Sequence, residues 1–450
     1  MNRQQDRRQP RRSGPEPKSS TKNLMPRAVA LGAVEGVLAK ATPLDGALAG
    51  RPEWKRMEPR DRAFARAIAS AVIRRPIALD AALMQVLDKP LPDEEVKAHL
   101  ILRCGAAERL ILETPAHAAV DAWVSLMAQD RHTARFKNLA NAVLRRVVDQ
   151  GKGAFLDSDP LEDLPDWLAE RWVETYGEPT ARAIAIARSV PPTLDLTAKP
   201  GFDAQGFADE IGASVLETGT IRRPDIGAVD GLPGFEKGDW WVQDAAAALP
   251  AMLLGVKADE TVADLCAAPG GKTLQLAATG ATVIAVDASP KRLKRLEENL
   301  ERTKLKAEIV AADVADWTAP EPLDAILLDA PCSATGTLRR RPDAAWAKEP
   351  GDIANLADIQ RRLLDASFTQ LKRGGRLVYC TCSLEREEGE DQIEAFLKRT
   401  PDARLDPVTA DELPGLKEAI TADGAVRTRP DMWSERGGMD GFYIARIVKG

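Results

Sequence analysis

Two cysteines sit where a chain could put a thiolate to work. The runs Leu327-Leu-Asp-Ala-Pro-Cys-Ser333 and Val378-Tyr-Cys-Thr-Cys-Ser383 each read as the end of a buried strand. Each delivers a cysteine, Cys332 or Cys382, to the turn that follows. A thiolate is a good nucleophile and a good leaving group, so it suits transient covalent activation of an electron-poor ring. Asp329, at the end of the first run, is placed to hydrogen-bond such a ring and stabilise the adduct. A second group must then remove a proton and help the enzyme leave. Spacing alone does not say which of the two cysteines attacks. Of the others, Cys104 reads as a small buried hydrophobe and Cys266 as packing at a strand end. Cys380 reads as core, one pleat deeper than Cys382 on the same face.

Five cysteines are an odd count for a 450-residue chain, which suggests a reducing compartment rather than a disulfide framework. With three scattered histidines they do not make the four-ligand spacing of structural zinc, so no metal is expected.

A second motif, Asp264-Leu-Cys-Ala-Ala-Pro-Gly-Gly-Lys272, follows an earlier strand-like run. Its paired glycines let backbone approach a ligand, and the helix after them offers free N–H groups to an anion. Gly271-Lys272-Thr273 matches the end of a nucleotide-triphosphate loop, but the first glycine of that motif would fall on Cys266, so the spacing excludes it. A nucleoside that carries a carboxylate suits the loop Cys266, Ala267, Ala268, Pro269, Gly270, Gly271, Lys272 better. The next strand ends in Asp287, placed for ribose hydroxyls, and the third in Asp313, placed for an adenine edge. In that order the three features point to an adenosine-containing cofactor. The basic stretch Leu338-Arg-Arg-Arg-Pro342 lies just past the Cys332 turn, where with Arg361-Arg362 it could meet phosphate.

The elements that must carry these residues change along the chain. From residue 239 to 450, strand-length apolar runs (261–266, 282–287, 307–310, 325–329, 376–379 and 442–448) alternate with helical stretches. That rhythm predicts an α/β Rossmann-like domain, a mostly parallel sheet with helices on both faces. Residues 25–150 are helical in period throughout, with Leu139, Val143, Leu144 and Val147 on one stripe and Asp61 as the cap of the helix carrying Phe64 and Ile68. They predict an all-α N-terminal domain. Residues 151–238 read as a mixed connecting subdomain that opens on a Gly- and Asp-rich connector from Gly151 to Asp163. Residues 1–24 lack an apolar period and read as a disordered basic tail. Residues 1–27 hold eight basic and two acidic side chains in a chain of net charge −6. The apolar stretch 28–41 is broken by Glu35 and is too short to span a bilayer. A cytoplasmic protein is expected.

Taken together, Val242-Gln-Asp-Ala, Cys266–Lys272, Asp329-Ala-Pro-Cys-Ser-Ala-Thr-Gly336, Thr381-Cys-Ser383 and Asp440-Gly-Phe-Tyr443 resemble the RNA cytosine-C5 methyltransferases, in their bacterial ribosomal-RNA branch of the Fmu or Sun type. The helical domain resembles the NusB-type RNA-binding fold that precedes the catalytic domain in that branch. Its matching segments are Arg60-Asp-Arg-Ala-Phe64, Pro115-Ala-His-Ala-Ala-Val120 and Asn141-Ala-Val-Leu-Arg-Arg146. The resemblance implies that S-adenosylmethionine binds the 266–272 loop with Asp287, Asp313 and Asp329. It implies that Cys382 attacks carbon 6 of cytosine and that Cys332 assists proton removal and release. DNA cytosine methyltransferases use the Pro-Cys cysteine instead, so having both turns favours RNA. Two stretches depart from the pattern. Thr193-Leu-Asp-Leu-Thr-Ala-Lys199 stands where the family has an Arg-Val-Asn-like run, and Lys137-Asn-Leu-Ala where relatives have Gly-Phe-Val.

The expected substrate is 16S ribosomal RNA, met by a monomer without membrane or metal. One alternative is tRNA. Another is an antitermination-type RNA-binding factor with an inactive methyltransferase domain. Base amino-group methylation ranks last, because Cys332 stands where an aromatic residue would stack the base.

Overall fold

The computed structural model describes residues 24–224, 227 and 229–450, so the expected tail, all but Leu24, lies outside the described residues. The chain divides into two compact units that part after Asp157.

The first unit is helical. Among the described residues its α-helices are α1 (Met25–Lys40), α2 (Leu44–Ala49), α3 (Pro59–Arg74), α4 (Pro76–Met84), α5 (Val96–Leu110), α6 (Ala116–Gln129), α7 (Lys137–Arg146) and α8 (Lys152–Asp157). Val143, Leu144 and Val147 are buried as the period requires. A carboxylate is buried in this unit as well. Glu108 accepts from Arg27 Nε and Trp123 Nε1, each at 2.8 Å, so its charge is paired inside the core.

Two expectations need correction. Helix α3 begins at Pro59 after Glu58, because proline's fixed φ suits a first turn, so Asp61 lies inside that turn and is not the cap. The connector from Gly151 is helical through Asp157. A Cβ on Gly151 would stand 2.6 Å from the Ala82 carbonyl, so glycine here lets the helix press onto α4.

The second unit opens with α9 (Asp166–Tyr176) and α10 (Glu178–Ser189). A small antiparallel sheet follows, from β1 (Leu194–Ala198), β2 (Ser214–Val215), β3 (Ile221–Arg223) and β4 (Trp240–Val242) in the order β2-β3-β1-β4. With α11 (Ala204–Ile211) it closes over Leu196, Phe207, Ile221 and Trp240. Its buried Asp195 accepts from Arg222 Nε at 2.7 Å and from Ala245 N at 3.0 Å. The second bond pins the small sheet to the start of α12 (Ala245–Leu254).

The main sheet then builds through β5 (Thr261–Leu265), α13 (Gly271–Ala278), β6 (Thr282–Asp287), α14 (Pro290–Thr303), β7 (Glu308–Ala311), β8 (Leu323–Asp329), α15 (Pro350–Thr369), β9 (Leu371–Thr381), α16 (Glu390–Arg399), β10 (Ala403–Leu405), β11 (Val426–Thr428) and β12 (Phe442–Lys449). Its order is β10-β12-β9-β8-β5-β6-β7, with β11 paired to β12. Strands β5 to β9 run parallel, and β12 enters antiparallel beside β9. Alternate side chains pack both faces: Leu327 and Val378 in the layer of α12, Ile326, Leu328 and Tyr379 in that of α15 and α16. From β5 the chain moves out to β6 and β7, then returns to β8 on the other side of β5. The carboxyl ends of β5 and β8 therefore flank the point where the order reverses, which is where open α/β sheets hold ligands.

Candidate active site

A cavity of ≈ 350 Å³ opens at that reversal. The loop after β5 supplies Ala267, Ala268, Pro269, Gly271 and Lys272 to its wall, and β8 supplies Asp329. Cys382, Phe442 and Arg340 close it on the far side, with Gln243 and Asp244 from the β4–α12 turn.

The loop is shaped by its glycines and by Asp287. Gly270 has φ +108°, and a Cβ there would come within 3.0 Å of Leu296 on α14. Asp287, 2% exposed, accepts from Ala268 N at 3.1 Å and Ser289 N at 2.9 Å, with Arg292 3.4 Å away. It holds the loop from behind and does not line the cavity. Asp313 is exposed and accepts from Ala315 N at 2.9 Å, also away from the cavity wall. The loop and Asp329 are thus brought together, while the second and third strand-end acids stand outside the cavity.

Lys272, nearly buried, donates to Asp329 Oδ2 at 2.7 Å and lies 5.2 Å from the Phe442 ring centroid. Burial works against its ammonium, but the Asp329 carboxylate outweighs this and holds the amine above its usual value. Asp264, fully buried at the end of β5, accepts from Thr273 Oγ1 at 2.6 Å through one oxygen. Its other oxygen has no hydrogen-bond partner, and Asp264 is part of the cavity wall. Burial pushes its carboxyl up to about 7.

The two turns that carry Cys332 and Cys382 meet. Cys332 Sγ and Cys382 Sγ are 3.4 Å apart. Gly336 N donates to Cys382 O at 3.0 Å, and Gly441 N donates to Gly336 O at 2.8 Å, lacing the turns to the start of β12. Cys382 reaches the cavity; Cys332 lies behind it. The hydrogen bond with Cys382, and then burial, push the Cys332 thiol well above its usual range. Cys380 is fully buried on the core side with its thiol raised by burial, 3.6 Å from Asp329 Oδ1. Burial likewise raises the Cys266 thiol, and that side chain packs against the sheet. Cys104 is buried in the first unit.

The basic run needs correction. Arg339 is 1% exposed and donates to the Gly437 carbonyl, so it cannot meet phosphate. Arg340 donates to the buried Asp440 at 2.7 Å through Nε while forming part of the cavity wall. Arg341 is exposed. The sequence pattern also did not single out Glu388. Glu388 lies buried beneath both cysteine turns, and only its spacing five residues after Ser383 could have flagged it.

The cavity fits the cofactor expected from the sequence. Its glycine-lined end meets the start of α13, which suits a carboxylate. Asp329 and the unpartnered oxygen of Asp264 suit a molecule that is otherwise cationic. Ala267, Ala268 and Trp241 offer an apolar wall to a nucleoside.

Comparison with known proteins agrees with this geometry. Residues 251–448 match the family model for 16S rRNA methyltransferase RsmB/F, and residues 25–149 match that of the NusB family. The chain is 35% identical over 445 residues to the ribosomal RNA small subunit methyltransferase B of Vibrio cholerae, spanning 94% of this chain and 97% of that one. It is 36% identical over 412 residues to the protein of the same name from Xanthomonas campestris, over 87% and 90% of the two chains. Its fold is similar to a solved methyltransferase homolog from Pyrococcus horikoshii, with TM-score 0.54, 28% identity and coverage of 65% of this chain and 98% of that one. With a NusB-type helical domain ahead of it and this cavity within it, the chain belongs to the 16S rRNA methyltransferase RsmB/F family.

Proposed function

We propose that the protein transfers a methyl group from S-adenosylmethionine to carbon 5 of a cytosine in 16S ribosomal RNA, with Cys382 as the covalent nucleophile. The observation that carries this reading is the presence of Cys382 in the cavity of Lys272 and Asp329, with a second thiol 3.4 Å behind it. The loop 266–272 with Asp264 and Asp329 would hold the cofactor, and Asp287 would keep that loop in place. Asp313, exposed beyond the end of β7, would meet the adenine edge.

When bound, S-adenosylmethionine supplies an electrophilic methyl group. The protein must make carbon 5 of cytosine nucleophilic enough to accept it. Addition of the Cys382 thiolate to carbon 6 forms a carbon–sulfur bond, breaks the carbon 5–carbon 6 double bond and leaves an enamine across carbons 4 and 5 with electron density on carbon 5. Negative charge builds at N3 during addition, and Asp329 stabilises it by donating the proton it shares with Lys272 across their 2.7 Å hydrogen bond. After methylation, Cys332 takes the carbon-5 proton, the electron pair of that C–H bond restores the ring double bond, and the carbon–sulfur bond breaks to release Cys382. To act as that base Cys332 first gives its own proton to solvent, and its raised range makes the resulting thiolate a strong base.

The helical unit is the natural RNA-binding element, and Arg340 is the member of the 338–342 run that lines the cavity. One chain supplies every residue named and the chemistry calls for no metal, so a monomer suffices. Among the described residues no helix is long and apolar enough to cross a membrane, and an enzyme of ribosomal RNA belongs in the cytoplasm.

The test is transfer of a radiolabelled methyl group to unmethylated 16S RNA, with the product digested to nucleosides. Label in 5-methylcytidine is expected. Label on tRNA alone would overturn the substrate, and no transfer together with no cofactor binding would favour a non-catalytic RNA-binding protein.

A further inference from the structure

Glu388 is fully buried at the end of a short 3-10 turn (Arg386–Glu388) between β9 and α16, yet among the described residues it makes no ion pair. Its carboxylate is held by hydrogen-bond donors alone. Oε1 accepts from Ser333 N and from Gln360 Nε2, each at 2.9 Å. Oε2 accepts from the hydroxyls of both Ser333 and Ser383. Its main-chain oxygen accepts from Tyr379 OH at 2.9 Å and Thr381 Oγ1 at 3.0 Å. A carboxylate has about four lone-pair positions, so four donors satisfy it fully.

The identity of those donors gives the arrangement its meaning. Ser333 directly follows Cys332 and Ser383 directly follows Cys382, so a single carboxylate oxygen grips the residue after each reactive cysteine. The two serine hydroxyls also lie 3.0 Å from each other. Gln360 adds a brace from α15, donating both to Glu388 and to Pro331 O at 2.9 Å, just ahead of Cys332. A buried charge without a cation is costly unless its hydrogen bonds are complete. A hydrophobic residue here would strand those four donors, so the surrounding turns are built around an acceptor at this position.

We propose that Glu388 is a positioning residue for the methyl-transfer reaction, fixing the Cys332–Cys382 separation by clamping Ser333 and Ser383. The two sulfurs must act on adjacent ring atoms in sequence, one bonding carbon 6 and the other taking the proton from carbon 5. A displacement of about 1 Å in such a pair costs on the order of 100-fold in rate. This inference rests on the two-cysteine reading above.

The experiment compares Glu388→Ala and Glu388→Gln in the full-length chain. Three readouts are taken: S-adenosylmethionine binding, kcat on 16S RNA, and the rate at which diamide closes a Cys332–Cys382 disulfide. Diamide accepts the two electrons and two protons that the thiols give up. Glu388→Ala is expected to bind the cofactor within about twofold of the parent, to lose roughly 100-fold in kcat, and to cross-link at least tenfold more slowly. Glu388→Gln keeps an acceptor for Ser333 N and can donate to hydroxyls that turn to accept, so it is expected to restore at least a tenth of parental kcat. Should Glu388→Ala fail to bind cofactor, the double variant Ser333→Ala, Ser383→Ala takes its place, with about a tenfold loss in kcat expected. Parental kcat in the variant that carries the test, or unchanged cross-linking in Glu388→Ala, would overturn the proposal. Cross-linking needs no RNA. An inactive parent with a fast-closing thiol pair would therefore count against the methyl-transfer reading and leave the clamp standing.

Discussion

Lys272, on the first turn of α13, donates to Asp329 at the end of β8 across 2.7 Å, joining the loop that would hold the cofactor to the strand that leads into the Cys332 turn. The pair is largely shielded, with 10% and 31% of the two side chains exposed, so water screens it poorly. It gives the cavity a fixed charge pattern: an ammonium facing the Phe442 ring and a carboxylate on the cavity wall.

Lys272→Ala would leave Asp329 without its cation and the loop without its anchor. A hydrogen bond between charged groups is worth roughly 1.5–3 kcal/mol. Cofactor affinity is therefore expected to fall on the order of 10- to 100-fold, measured by calorimetric titration with S-adenosylhomocysteine. Lys272→Arg keeps the charge but not the fit and should recover only part of the loss.

Asp264 gives a pH signature. Its carboxyl is raised to about 7 in the folded chain, so the folded state holds that proton more tightly than the unfolded one. Its contribution favours folding at low pH, declines as pH rises from the ordinary carboxyl range, and is a full penalty above about 7. Asp264→Asn does not titrate and can still accept from Thr273. Its Tm relative to the parent should therefore rise between pH 5 and pH 8, as read by calorimetry. A difference that stays flat across that range would contradict the assignment.

Much of this site was legible in the sequence because the relevant signals are local. The Gly-Gly turn, the strand ending at Asp329 and the Thr-Cys-Ser turn depend on residues adjacent in the chain, and β5, β6 and β8 came from simple apolar runs. Tertiary contacts were harder to read. Strand β9 starts at Leu371, five residues before its apolar run, because Lys372-Arg373-Gly374-Gly375 looks like a turn. The three-residue strands β10 and β11 are too short for any period to show and form by pairing with β12. Arg339 read as part of a phosphate-meeting run but lies under the Gly437 carbonyl, and Glu388 is held by donors from the Ser383 turn and from the Ser333 turn 55 residues away. Asp287 read as a ribose ligand, and in the fold its carboxylate already braces the loop.

Gly336 tests the lacing of the cysteine turns. A Cβ there would lie 2.0 Å from the Gly441 carbonyl oxygen, a backbone atom that cannot swing aside. Gly336→Ala must push the Cys332 turn away from β12, at a cost of about 1–3 kcal/mol of stability. A Tm several degrees lower is expected, with kcat reduced more than tenfold and cofactor affinity little changed, because the 266–272 loop is not touched. Parental turnover in this variant would show that the turn can relax without moving the thiols.

The most direct test of the central claim sets two single substitutions side by side, with unmethylated 16S RNA and S-adenosylmethionine, reading methyl transfer together with covalent protein–RNA species on a denaturing gel. Cys382→Ala should show neither methylated product nor adduct. Cys332→Ala should accumulate the adduct, because attack and methylation proceed while release stalls. An active Cys382→Ala beside an inert Cys332→Ala would reverse the roles of the two sulfurs and contradict the mechanism.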